Sequence, residues 1–190
     1  MRLLVVPIAL LSVLVSGSVM AQENTVRVGV AVMENYAGRS VPGNVERDRL
    51  VAAINQRKPD KKTHLKVQAI PLSGMTREDA SEEAEHQNCQ FVVYTTLTEL
   101  RTQQDPYQHV PGTIESSPNS QWSPNQKLDP EFRATVEYKL VRVGSNNEIS
   151  GAPFSTQQNG NEIDTVSQIM DRIASQVVDQ IKKSAVPLRE

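Results

Sequence analysis

The chain has 190 residues, with 20 lysines and arginines against 22 aspartates and glutamates, and a formal net charge of −2 at pH 7. A charge this near zero argues against a nucleic-acid partner, and the basic residues around Pro59 and Asp60 are typical of a solvated loop. Cys89 is the only cysteine, which excludes an internal disulfide, so packing must stabilise the fold.

Residues 1–21 have the pattern of an export signal that is removed from the mature protein. One positive charge precedes an apolar stretch at 3–15, and small residues lead to Ala21, a site suited to signal peptidase. An uncleaved membrane anchor is the competing interpretation, but Pro7 and several serines leave fewer than the roughly 20 apolar residues that a spanning helix needs. We therefore expect residues 22–190 to form one globular domain, without stable membrane insertion, in the periplasm or outside the cell.

The first half of this domain predicts two strand–helix–strand units. The predicted strands are at 25–33, 64–71 and 89–100. Asn44 and Thr76 have side chains that cap helices, and Pro59 ends the first helix. The second helix offers little besides Ala80 and Ala84 to a core, so we expect it to lie on the sheet by a narrow alanine edge. Short units of this kind require parallel strands joined by right-handed crossovers.

The second half predicts a long loop, a hairpin and a helix. Residues 101–130 hold five prolines among polar residues and predict the loop. Apolar and polar residues alternate at 131–143, and a turn leads to a shorter strand at 148–155, which predicts an antiparallel hairpin. Asp164 or Thr165 is expected to cap the last helix. Its apolar residues recur at spacings of three and four: Val166, Ile169, Met170, Ile173, Val177 and Ile181.

The predicted order of elements is β-α-β-α-β-loop-β-β-α. Parallel strands in the first half and a hairpin in the second combine into one sheet with strands of both directions. The sequence therefore predicts an α/β fold with a mixed five-stranded sheet and three helices.

This order and five segments together resemble a known superfamily. The segments are VRVGVAVMEN, DRLVAAINQRK, NCQFVVYTTLTEL, FRATVEYKLVRV and IMDRIASQVVDQI. They resemble the periplasmic α/β superfamily of the curli-secretion lipoprotein, the N-terminal domain of the Tol-Pal propeller protein and outer-membrane activators of penicillin-binding proteins. The chain looks closer still to uncharacterised exported proteins of soil bacteria.

The resemblance covers about residues 26–183, apart from the proline-rich loop, and contains no catalytic motif. It implies a protein-binding or assembly role at the envelope. The chain lacks the lipid-bearing cysteine, the pore-forming hairpins and the propeller of those relatives, so none of their specific activities is expected here.

No motif predicts catalysis, a cofactor or a metal. Gly38 and Gly43 stand between a strand and a helix as in a phosphate loop, but Asn44 and Val45 replace the required lysine and hydroxyl residue, which favours a plain turn. The three histidines share no metal-ligand spacing, and Cys89 is expected to be buried. The acidic residues of the second predicted helix are typical of a solvated helix face. We therefore expect no enzyme activity, no cofactor and no metal site.

The segments that follow the three parallel strands should meet at one edge of the sheet. Aromatic side chains with a polar end are favoured in interfaces. The candidate partner-binding residues at this edge are Asn35, Tyr36, Arg39, Tyr107 and Trp122. The leading hypothesis is an exported, non-enzymatic adaptor or assembly protein that binds a protein or another envelope component through these loops.

Two other hypotheses remain open. A small exported hydrolase would assemble its site from distant loops and would need a pocket with a base next to a nucleophile. An assembly subunit would form homo-oligomers through an exposed strand edge, which the sequence places at 148–155.

Overall fold

The computed structural model describes residues 24–60, 64–103, 131–145 and 147–185. Its elements are β1 (Asn24–Val30), β2 (Glu34–Asn35), α1 (Gly43–Asn55), β3 (Leu65–Pro71), α2 (Arg77–His86), β4 (Phe91–Gln103), β5 (Glu131–Arg142), β6 (Glu148–Asn159) and α3 (Glu162–Ala185). The expected signal at 1–21 and most of the proline-rich segment lie outside the described residues.

The strands form one mixed sheet in the order β3-β1-β4-β5-β6, with β2 paired to β4. β1 pairs in parallel with β3 and β4, whereas β5 pairs antiparallel with β4 and β6. The mixed α/β fold, the parallel units and the hairpin are therefore confirmed, and β6 is an edge strand as predicted. The predicted five strands are one too few, because Glu34 and Asn35 pair with Thr96 and Leu97. A strand of two residues is too short to show a hydrophobic period.

Two strands are longer than their sequence patterns predicted. β4 runs to Gln103 rather than Leu100, and β6 runs to Asn159 rather than Ser155. Both polar ends pair with the start of β5, at 131–133, which lies between them. Backbone hydrogen bonds hold these ends together, and such bonds leave no apolar period in the sequence.

The helices lie on both faces of the sheet, with α1 and α3 on one and α2 on the other. All six apolar residues predicted for the last helix are fully buried. Ala80 and Ala84 of α2 pack with Leu72 and Val92 in a smaller cluster, so the predicted alanine edge is confirmed. Gly29 makes room for this cluster, since a Cβ atom there would lie 2.7 Å from Leu72 Cδ1.

The starts of α1 and α2 are capped differently. Thr76 caps α2 as predicted, because Asp79 N donates to Thr76 Oγ1 at 3.1 Å and Thr76 N donates to Asp79 Oδ2 at 3.3 Å. The prediction that Asn44 caps α1 is wrong, because the helix already begins at Gly43, after Pro42, without a side-chain cap.

The start of α3 also differs from the prediction. Asp164 N donates to Asn161 Oδ1 at 2.7 Å, and Thr165 Oγ1 donates to Asn161 O at 2.9 Å. The expected caps, Asp164 and Thr165, lie inside the first turn, so the capping residue is Asn161. Across the described ranges, no helix combines the length and the apolar character that crossing a bilayer requires.

Candidate functional site

The candidate site lies at the end of the sheet where the parallel strands β1, β3 and β4 terminate. We call it the carboxyl end. It comprises two loops and the first turns of two helices: 36–42, 72–76, 43–46 of α1 and 162–165 of α3. α3 begins here because two antiparallel pairings, β4 with β5 and β5 with β6, return the chain to this end.

Every large apolar side chain that is exposed within the described residues belongs to the carboxyl end. Met75 is 86% exposed and Tyr36 is 73% exposed, while Val45 and Ile163 are 45% and 44% exposed. They come from two loops and two helices, so no single segment accounts for them. Single exposed apolar residues are ordinary, and these four lie at the same end of the sheet.

Arginine side chains link the segments of the carboxyl end. Arg47 Nη1 donates to Leu72 O at 2.8 Å, which joins α1 to the loop after β3. Arg77 Nε lies 3.4 Å from Glu34 Oε1, which joins α2 to β2. Loops that are already held in place lose less conformational entropy when a partner binds.

Arg39 adds a third link and remains partly accessible. Its Nη1 lies 3.3 Å from Glu162 Oε1 at the start of α3, and its Nη2 lies 3.5 Å from Thr102 Oγ1 of β4. About half of its side chain is exposed. The guanidinium therefore has part of its surface available to a partner.

The side chain of Asn35 is committed to the loop that it precedes. Its Nδ2 donates to Arg39 O at 2.7 Å and to Val41 O at 3.2 Å, and its Oδ1 accepts from Ala37 N at 3.1 Å. These bonds fold the loop around the amide group, as an Asx turn does. The same loop geometry leaves Tyr36 exposed.

Three of the five candidate residues thus meet at the carboxyl end in distinct roles. Tyr36 is the exposed aromatic residue, Arg39 is a partly exposed link, and Asn35 shapes the loop between them. Tyr107 and Trp122 lie outside the described residues, and their part in partner binding stays a prediction.

Three exposed apolar residues were missed by the sequence analysis. Met75 and Val45 stand outside the apolar periods of the neighbouring helices, and this was a usable signal of exposure. Ile163 continues the period of α3, so nothing in the sequence distinguishes it from the buried residues that follow.

A cavity of about 470 Å³ lies beside Tyr36, where β4 continues past the end of β2. Ala37 and residues 98–101 form the rest of its lining. Two of these, Glu99 and Arg101, form an ion pair of 3.2 Å between Oε1 and Nε. The pair neutralises the charge of the lining, so the cavity suits an uncharged side chain.

A larger groove of about 640 Å³ lies between α2 and the turn that joins β5 to β6. Tyr94 lies in it, with Arg77 Cζ 5.6 Å from the ring centroid and Tyr94 Oη donating to Arg77 O at 3.2 Å. Burial raises the pKa of the Tyr94 phenol, and the positive charge of Arg77 lowers it by less. The phenol is therefore protonated at neutral pH and acts as a hydrogen-bond donor.

Among the described residues that line the two cavities, there is no histidine and no cysteine, while the larger groove holds Tyr94, Lys139 and several acidic residues. Cys89 is buried, and burial raises the pKa of its thiol, while Arg27 lowers it by less. A buried, protonated thiol is a poor nucleophile. In the same ranges, no group of three His, Cys, Asp or Glu side chains could hold a metal ion.

No protein-family model matches the sequence, and no curated protein matches it. Solved structures of similar fold include protein XCC0632 from Xanthomonas campestris, which is 8% identical with a TM-score of 0.50, over 86% of this chain and 90% of that chain. The PelC dodecamer from Paraburkholderia phytofirmans is 15% identical with a TM-score of 0.47, over 82% and 86% of the two chains.

Lipoprotein GNA1162 from Neisseria meningitidis is also 15% identical, with a TM-score of 0.44, over 83% of this chain and 99% of that chain. At identities this low, a structural likeness extends to the fold and not to the function. What this chain has in common with protein XCC0632 is its α/β architecture.

Proposed function

We propose that the chain is an exported, non-enzymatic adaptor or assembly protein of the cell envelope, which binds a protein or another envelope component through its carboxyl end. The observation that carries the proposal is the collection of Tyr36, Val45, Met75 and Ile163 at that one end. Covering apolar surface of this kind with a partner is favourable, because it removes the surface from water.

Tyr36 and Met75 are the expected anchors of the contact. They are the two most exposed of the four, and they come from different loops. Tyrosine supplies a rigid ring with a polar end, and methionine adapts its shape to a partner. Truncating an interface anchor of this kind costs about 1–2 kcal/mol. That range corresponds to a loss of affinity of roughly fivefold to thirtyfold.

The envelope location rests on two features of the sequence. Residues 1–21 have the pattern of an export signal, and the segments at 26–183 resemble periplasmic proteins. Both features predict that the mature chain acts beyond the inner membrane.

The test is capture of envelope proteins by the immobilised mature chain, residues 22–190, from an envelope fraction of its native host. The wild type should retain a partner whose amount falls about tenfold with Tyr36→Ser and with Met75→Ser, since each variant removes one anchor. Quantitative mass spectrometry measures the retained partner. Lys183→Ser, at the exposed far end of α3, is the control and should retain full capture.

Melting curves by circular dichroism show whether each variant is folded. Equal capture by the wild type and both anchor variants would reject the carboxyl end as the binding surface. Trp122→Ala extends the test to the proline-rich segment, because loss of the partner would include that segment in the surface and unchanged capture would exclude it.

A further inference from the structure

We propose that the partner contributes an extended segment, which adds as a strand to the edge of β4 at residues 98–103. This inference rests on the proposed function, because it names the kind of contact made at the carboxyl end. It identifies the partner by its chemistry, as an extended and uncharged polypeptide segment.

β4 has two differently paired sides. On one side, β5 pairs with it from Phe91 to Gln103. On the other side, β1 pairs with it as far as Val93 and β2 as far as Leu97, and the last bond runs from Tyr36 N to Leu97 O at 2.9 Å. Beyond that bond, no described residue pairs with the backbone of 98–103 on this side.

The two outer edges of the sheet are protected, in contrast. On β3, Asn55 Nδ2 donates to Ala69 O at 3.0 Å, and Asn55 Oδ1 accepts from Ala69 N at 2.8 Å, so one amide group satisfies both backbone groups. On β6, Pro153 has no backbone N–H, and Arg172 Nη1 donates to Ser155 O at 3.5 Å. Such devices prevent unwanted strand pairing. At 98–103, Arg39 Nη2 reaches the Thr102 hydroxyl at 3.5 Å, but no described side chain bonds the backbone on this side.

The open edge has the size that strand addition requires. Six residues of strand extend over roughly 20 Å, and about half of their backbone groups point to each side. In other proteins, an added strand gains affinity from these backbone hydrogen bonds and specificity from pockets for its alternate side chains.

The cavity of about 470 Å³ supplies such a pocket. It is lined by Tyr36 and by 98–101 of the open edge, so a strand paired there would direct a side chain toward it. Because Glu99 and Arg101 neutralise one another, an uncharged side chain fits the lining better than a charged one.

The test uses a random twelve-residue peptide library on phage, selected against the mature chain. The selected peptide should bind, and the same peptide with alternate backbone nitrogens methylated should bind at least about tenfold more weakly, because methylation removes the N–H donors. Fluorescence anisotropy measures both affinities. Hydrogen exchange should show slower exchange of the amides at 98–103 when the unmodified peptide is bound.

The outcomes separate this inference from the proposed function. Peptides that tolerate methylation, or that leave exchange at 98–103 unchanged, would overturn strand addition. If Met75→Ser still abolished capture of the envelope partner, the proposed function would stand without it. Peptide binding by strand addition, together with envelope capture that is indifferent to Tyr36 and Met75, would instead overturn the apolar surface as the site of partner binding.

Discussion

Glu46 is a buried carboxylate in the first turn of α1. Its side chain is fully buried, and neither oxygen accepts a hydrogen bond from a described residue. Arg49 Nε lies 3.9 Å from Glu46 Oε2, but much of the Arg49 side chain is in solvent. Burial raises the pKa of the Glu46 carboxyl above its ordinary value of 4.5, and Arg49 lowers it by less. The ionised form of Glu46 therefore opposes folding.

Replacing Glu46 should stabilise the protein at neutral pH. When the pKa of an acid is higher in the folded chain than in the unfolded chain, its contribution to the free energy of unfolding is greatest below the unfolded pKa, near 4.5. That contribution is lost as the pH rises through the folded pKa. Glu46→Gln removes this loss, so we expect a gain of about 1 kcal/mol in the free energy of unfolding at pH 7. Urea unfolding at pH 7 and at pH 4 measures the gain, which should shrink at the lower pH.

Asp48→Asn is the control, because Asp48 lies on the same helix with 58% of its side chain exposed. Asp48→Asn should change the free energy of unfolding at pH 7 less than Glu46→Gln does, because its surface ion pair with Arg47, at 2.7 Å, contributes little. A gain from Glu46→Gln that is equal at both pH values would contradict the assigned cause.

At the scale of elements, Pro153 protects the edge of β6 from pairing with another strand, because proline has no backbone N–H to donate. Pro153 pairs with Glu137 of β5, and proline keeps its place in a ladder only where its nitrogen faces away from the partner strand. Ser155, two residues further on, has its carbonyl bonded to Arg172 of α3. The middle of β6 therefore offers a neighbouring strand few free groups.

Pro153→Val should increase self-association of the mature chain. Valine restores the outward N–H and has a high preference for strands, so two copies of β6 can pair. Sedimentation velocity at increasing protein concentration should show more of the associated species than the wild type shows. Gln157→Val adds the same side chain at an exposed position of β6 without creating a new donor, and it should associate no more than the wild type does. Equal association of both variants would show that the added apolar side chain, and not the restored N–H, causes the association.

At the scale of the whole molecule, the sheet separates a large core from a small one. The large cluster involves α1, α3 and the sheet, while α2 gives the smaller cluster only Ala80 and Ala84. Cys89 lies in that smaller cluster and is 6% exposed. A thiol in this position reports on how readily α2 separates from the sheet.

We expect the Cys89 thiol of the folded chain to react with Ellman's reagent at least about 100-fold more slowly than that of the chain in concentrated urea. Absorbance of the released thiolate measures the rate. Val92→Ala loosens the same cluster and should accelerate the reaction, whereas Val177→Ala lies in the large core and should do so less at equal loss of stability. Equal rates in folded and unfolded chains would show that the cluster does not shield Cys89.

The sequence predicted those parts of the fold that follow from a local period. The spacing of Val166, Ile169 and Ile173 identified the buried face of α3, and the alternation in β5 identified the face toward the helices. Short connections then required β1, β3 and β4 to be parallel. These features depend on residues that are close in the chain.

The parts that escaped prediction depend on contacts between distant segments. β2 is a strand because Glu34 pairs with Thr96 of β4. The polar end of β4 is a strand because β5 pairs with it there. A sequence period carries no information about such pairings. Of the candidate site, Tyr36 and Arg39 were named from residue type and position. Met75 was missed although it stands outside the apolar period of the neighbouring helix, whereas Ile163 continues the period of α3 and could not be distinguished from the buried residues.

The absence of a side chain at Gly29 constrains how the sequence can change during evolution. Leu72 occupies the space that a methyl group on residue 29 would need. The two residues compete for the same space although they are far apart in the sequence, since Gly29 lies in β1 and Leu72 follows β3. Alanine at position 29 would therefore force the Leu72 side chain to shift, so substitutions at the two positions affect one another.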